Sequence, residues 1–153
     1  MKPRTVMLMM AMCFVAAVCF ASDANLGTWK LNEAKSKFPP GATKNNTVVY
    51  EAAGDEVKVT IDGTKPDGSS THNEWTGKFD GKDYPVTGDA ASDARSYKVV
   101  NGHTMDFTVK KDGKVTMTGR IVVSADGKSR TVSVSATDAM GKKVKSMTVY
   151  DKQ

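Results

Sequence analysis

The sequence predicts an all-β domain of about ten antiparallel strands joined as an up-and-down meander. Three observations predict it. Turn signals recur at even intervals, as Gly54-Asp55, Asp67-Gly68, Asp80-Gly81, Asn101-Gly102, Asp112-Gly113, Asp126-Gly127 and Met140-Gly141. Between them apolar and polar residues alternate with the period of two that puts neighbouring side chains on opposite faces of a sheet. No long helical pattern interrupts this sequence of strands and turns. Strands of this kind close into a barrel or stack as a sandwich.

The first segment is not part of that domain. Lys2 and Arg4 form a short basic start, and Val6 to Phe20 is an apolar run of about fifteen residues. A membrane-spanning helix needs roughly 20 apolar residues, whereas a secretory signal needs fewer. Small residues at Cys19 and Ala21 allow cleavage before Ser22, and Ser22 and Ala24 allow it before Asn25. The expected organisation is a signal peptide over residues 1–21, its cleavage as late as residue 24, then one β-barrel domain over residues 25–153. The expected location is secreted or periplasmic. Cys13 and Cys19 are the only cysteines, and Val18 and Met12 stand before them where a lipoprotein signal needs a small residue. The mature chain is therefore expected to be cysteine-free, with no disulfide and no thiolate chemistry.

Removing Lys2 and Arg4 leaves twenty basic side chains against seventeen acidic ones, a surplus of three. The longest basic runs in the mature chain are the pairs Lys110-Lys111 and Lys142-Lys143. No patch is dense enough to hold nucleic acid or an anionic membrane surface, so neither partner is expected.

The opening strand, Leu26–Asn32, carries Gly27-Thr28-Trp29. Glu33 to Asn46 holds Pro39-Pro40-Gly41 and reads as a loop or short cap, with room for one helical turn over Glu33–Lys37. Further strands are expected at Thr47–Ala53, Glu56–Asp62, Ser70–Phe79, Lys82–Val86, Ala94–Val100, Thr104–Lys110, Lys114–Ala125, Lys128–Asp138 and Lys142–Tyr150.

Register follows from the turns, because a slip of one residue exchanges the two faces of a strand. A two-residue turn at Gly54-Asp55 sets Tyr50 opposite Val59 and Val48 opposite Ile61. One at Asp80-Gly81 sets Trp75 opposite Val86, and one at Asp126-Gly127 sets Ile121 opposite Val132. Two hairpins need an extra residue to keep apolar faces together. A three-residue loop Asn101-Gly102-His103 sets Tyr97 opposite Phe107, and Lys111-Asp112-Gly113 sets Phe107 opposite Met117 and Val109 opposite Val115. A two-residue turn at Met140-Gly141 sets Met147 and Val149 beside Val134 and Val132. The result is one dry face and one wet face. Gly77 and Gly119 fall on the dry face in mid-strand, where they relieve crowding.

A domain that opens on Gly27-Thr28-Trp29 and continues as a meander of nine further strands resembles the lipocalin-like (calycin) superfamily. That resemblance implies a closed barrel with Gly27 and Trp29 at its floor, and the short chain resembles the fatty-acid-binding-protein branch. Leu31-Asn32, Lys35-Ser36-Lys37-Phe38, Asp80 to Gly88 and Val149 to Gln153 also resemble a family of small exported bacterial proteins of unassigned activity. The branch's helical lid has no counterpart in the short, proline-broken Glu33–Asn46 segment. Its basic lumen residues, which clamp a carboxylate, are expected to be missing too, with Arg120 and Arg130 on the outward parity.

Catalytic chemistry is not expected. His72 alternates with Trp75 onto the wet face, His103 lies in a turn, and no Gly-x-Ser-x-Gly occurs. Two distant histidines lack metal-ligand spacing, and each Asp-Gly is turn chemistry without the alternating oxygens of a calcium loop. No cofactor or metal is implied. The lumen candidates are Trp75, Tyr84, Tyr97, Phe107, Met117 and Tyr50, because small barrels enclose one small molecule. The expectation is a monomeric, exported, non-enzymatic barrel that binds a small, neutral or weakly polar hydrophobic ligand. Two alternatives are a filled barrel acting through its surface and, with less support, a small outer-membrane barrel.

Overall fold

Glycines and aspartates at the turns divide the chain into hairpins, and the hairpins decide the topology. The structure is a computed structural model and describes residues 20–153, so most of the expected signal segment, with both cysteines, lies outside the described residues. A short helix α1 (Phe20–Asn25) leads into β1 (Gly27–Lys37), β2 (Lys44–Ala53), β3 (Glu56–Thr64), β4 (Ser70–Gly77) and β5 (Tyr84–Thr87). There follow β6 (Ala94–Asn101), β7 (Thr104–Lys111), β8 (Lys114–Val123), β9 (Ser129–Thr137) and β10 (Lys143–Lys152). Every strand pairs antiparallel with its neighbours in sequence, and β1 pairs with β10, so the ten-stranded meander is a closed barrel. Closure leaves no sheet edge unpaired.

The expected register holds in several hairpins. Tyr50 lies opposite Val59, Trp75 opposite Val86, Ile121 opposite Val132 and Tyr97 opposite Phe107. The extra residue between β6 and β7 sits in the strand at Val100, where the register shifts, and the loop itself is short. Between β4 and β5, residues 78–83 leave the β4–β5 pairing instead of forming a two-residue turn, and Asp80 bridges to Lys98 of β6. Phe79 turns inward and stacks on Trp75 at 6.1 Å, while the Gly81 N–H donates to the Tyr97 carbonyl across the gap. Burying that ring outweighs the hydrogen bonds that a tight hairpin would have made.

Three further expectations are corrected. Glu33–Lys37 is neither helix nor loop but the end of β1, accommodated by a register shift against β10. Ser36 fills the shift: its Oγ accepts from the Val149 N–H and donates to the Asn32 carbonyl. At β7–β8 the turn is the two-residue Asp112-Gly113, both residues left-handed at φ 50° and 73°. The extra residue is instead a bulge at Thr116, so Val109 faces Met117, Phe107 faces Gly119 and Val115 is exposed. A benzyl ring opposite bare backbone packs better than one opposite a second long side chain. At β9–β10, the Asp138 carboxylate caps a longer loop by accepting the N–H groups of Met140 and Lys142. Met147 then pairs with Ser133 and Val149 with Thr131, both off the inner face. Val144, Ser146, Thr148 and Tyr150 point inward in their place, which exchanges a thioether and an isopropyl group for the larger ring of Tyr150.

Trp29, Val59, Trp75 and Met105 have essentially no exposed surface. Trp29 sits at the end closed by α1, and its Nε1–H donates to the Asn25 carbonyl at 2.7 Å. Gly27, with φ 111°, starts β1 in a conformation that side chains rarely adopt, and the Lys152 stem lies against it.

Candidate ligand cavity

The interior is half packed and half hollow. On the β4–β6 side, Trp75, Phe79, Tyr84 and Tyr97 interlock, with Trp75 edge-on to Tyr97 at 4.8 Å and to Tyr84 at 5.7 Å. Trp75 donates its Nε1–H to the Arg95 carbonyl, and the Tyr84 hydroxyl donates to Asp80. These bonds fix both rings in the packed half. The other half is a cavity of about 400 Å³, within the usual range for small-molecule sites. Of the residues expected in the lumen, Tyr50, Tyr97, Phe107 and Met117 line this cavity, whereas Trp75 and Tyr84 do not. Phe38, Pro39, Ala42 and Thr43, from the β1–β2 loop, line it at the end away from Trp29.

Bare backbone is part of its construction. A Cβ on Gly119 would collide with the Phe107 ring, and one on Gly77 with the ring of Tyr84. Gly119 thus seats an aromatic wall of the cavity, and Gly77 seats a member of the packed half.

The walls carry charge that the sequence reading placed elsewhere. Arg130 shares the parity of Val132 and Val134, points inward and is 2% exposed, while Arg95 shares the parity of Tyr97 and is 6% exposed. Both line the cavity. Of the described arginines Arg120 alone faces outward, held by Asp106 at 2.6 Å. Counting parity back from Val132 would have found Arg130, and counting back from Tyr97 would have found Arg95. The positive charge of each argues against burial, and that prior hid a register the neighbouring valines already set.

Neither lumen arginine meets a carboxylate among the described residues. Arg95 makes long hydrogen bonds, to the Tyr97 hydroxyl at 3.4 Å and to Asn73 Oδ1 at 3.2 Å. The Arg130 guanidinium lies over three rings, 4.8 Å from Trp29, 4.8 Å from Tyr50 and 5.0 Å from Tyr150. Its Nε and Nη1 are buried without a hydrogen-bond acceptor. Ring faces offset part of the cost of burying a cation, but they do not satisfy its N–H groups. Burial pushes the Tyr50 hydroxyl well above its usual range; Tyr97 adds to the shift and Arg130 opposes it. Burial also pushes Tyr150 up to about 12, again against the pull of Arg130. Both phenols are neutral at ordinary pH, so they do not serve as counter-ions. Among the described residues the cavity is an apolar chamber with cationic donors and no anion of its own.

No family model and no curated protein matches the chain. Solved structures do. A redesigned β-barrel, b11L5F_LGL, superposes with a TM-score of 0.51 at 16% identity, covering 89% of this chain and 97% of its own. The likeness is one of fold. EF1p2_mFAP2b bound to DFHBI has a TM-score of 0.49 at 12% identity, covering 88% of this chain and 98% of its own. The redesigned β-barrel mFAP1 bound to DFHBI has a TM-score of 0.45 at 15% identity, covering 88% and 100%.

Proposed function

We propose that this protein is an exported, non-enzymatic, lipocalin-like carrier whose lumen holds one small molecule with an apolar body and an acidic group. One observation carries the reading: a cavity of about 400 Å³ lined by two buried arginines, of which Arg130 brings unpaired donors. The apolar body would lie against Tyr50, Ile61, Phe107, Met117 and Ile121. The acidic group would meet Arg130 or Arg95, where charge-assisted hydrogen bonds are strong in a water-poor site. A neutral ligand was expected from a lumen without cations, and that premise no longer stands. The absence of His, Cys and carboxylate from the cavity lining, as far as the described residues go, supports binding over catalysis. His72, one catalytic candidate by type, lies on the outer face against Asp62 at 2.6 Å.

The outward face argues against membrane insertion. It carries Lys58–Glu74 and Asp106–Arg120 pairs in mid-strand, where a bilayer barrel presents an apolar band. A surface-acting filled barrel loses its main support because the interior is not filled.

The test compares two naphthalene probes of similar size, one sulfonated and one uncharged, titrated by fluorescence. The anionic probe should bind at least about tenfold more tightly, a difference of about 1.4 kcal/mol. Arg130→Met and Arg95→Met should each reduce that preference without emptying the lumen. Equal affinities would remove the acidic group from the proposal, and no binding of either probe would overturn the carrier reading. Native mass spectrometry of protein from its own host would then weigh the retained ligand.

A further inference from the structure

Ala24, Asn25 and Leu26 belong to the fold, although the sequence leaves open whether Ala24 belongs to the leader. Ala24 and Leu26 pack against the hydrophobic core. Asn25 is 1% exposed, and its carbonyl accepts the Trp29 Nε1–H at 2.7 Å. That carbonyl is held in place by a turn that begins earlier: the Leu26 N–H donates to the Asp23 carbonyl at 3.2 Å. The barrel floor is therefore built by the chain from Asp23 onward.

From this we infer that the leader is removed between Ala21 and Ser22 and not between Ala24 and Asn25, the inference resting on the export proposed above. Both positions have small residues where a signal peptidase reads them, so sequence does not choose between them. The folded product does. A cut before Asn25 would place a new α-ammonium group on the residue whose carbonyl holds the Trp29 indole. It would also delete the Asp23 carbonyl that closes the turn and the Ala24 methyl that packs on the core. A cut before Ser22 keeps the Asp23 carbonyl and the Ala24 methyl, and places the new charge three residues from Asn25. Asp23, Ala24 and Asn25 are on this account the closing piece of the floor, which holds the Trp29 indole beneath the Arg130 guanidinium.

The experiment expresses the full chain in a bacterium and reads the exported protein by intact mass and N-terminal sequencing. A single species starting at Ser22 is the expected result. A species starting at Asn25 would overturn the assignment while leaving export intact, and a chain that keeps its leader would overturn both. As an independent measurement, protein beginning at residue 22 should unfold at a higher temperature than protein beginning at residue 25. Equal midpoints would remove Asp23 and Ala24 from the floor and with them the physical basis of the choice.

Discussion

Two residues at the floor divide the work between stability and function. Trp29 is fully buried, donates to Asn25 and lies under the Arg130 guanidinium and the Lys152 ammonium. Its replacement by alanine leaves a large cavity and an unused carbonyl, so Trp29→Ala should cost about 3–5 kcal/mol in denaturant unfolding. A loss below about 1 kcal/mol would make the indole peripheral. Tyr150 offers a different measurement. Its pKa is raised to about 12 in the folded chain against about 10 unfolded. Stability from this group is fully present below pH 10 and falls as pH rises toward 12, because the unfolded phenol ionises first. Comparing pH 8 with pH 11.5, the wild type should lose about 2 kcal/mol more than Tyr150→Phe. Equal losses would place the hydroxyl in water. At this scale the sequence was legible for apolar residues, while the charge of Arg95 and Arg130 masked a parity that they also obey. Tyr50, Tyr97, Phe107 and Met117 could be placed on the cavity side by alternation alone. Arg95 and Arg130 obey the same alternation, but only the closed barrel supplies the aromatic faces that lie under the buried Arg130 guanidinium.

Hairpins are where one residue more or less decides which face a strand presents. The β2–β3 turn could be read directly, since Gly54-Asp55 leaves no slack between two alternating strands. The β7–β8 hairpin could be read only in part. Parity demanded one extra residue, but parity does not say whether that residue enters the turn or the strand. Space around Gly119 does, because the Phe107 ring occupies the volume a side chain would need. Gly119→Ala should therefore displace that ring, destabilise the barrel by about 1–3 kcal/mol and reshape the cavity wall. Gly113→Ala, with open space around it, should show only the strain of a left-handed residue, about 1 kcal/mol. Unfolding and probe binding measured on both variants would separate the two effects: Gly113→Ala should leave binding unchanged. If both bound the probe alike, Phe107 would not be a wall residue. At β9–β10 composition carries no warning, because capping by the Asp138 side chain adds a residue to the loop without any change of residue types.

For the barrel as a whole, closure by β1 and β10 makes each strand depend on two neighbours, and the seam with the fewest pairs limits local stability. That seam is β5. It pairs with β4 through Glu74–Thr87 and Trp75–Val86, and with β6 through Tyr84–Arg95 and Pro85–Ala94. By contrast β9 and β10 are in register from Lys143–Thr137 to Asp151–Ser129. Packing compensates at the weak seam: the Trp75, Phe79, Tyr84 and Tyr97 rings lie behind it, and the Gly81 N–H bridges to β6. The cavity instead takes its walls from strands that pair along most of their length, so it can stay hollow without opening the sheet. Native-state hydrogen exchange should separate these regions. Amides of β5 should exchange through local opening at a free energy about 2 kcal/mol or more below the global value, with β3 and β9 at the global limit. An anionic probe in the cavity should raise protection on β9 and β10 around Arg130 and Tyr150, and leave β5 little changed. Protection of β5 equal to that of β3 would mean that the aromatic cluster alone sustains the seam, and the strand pairing there would count for little.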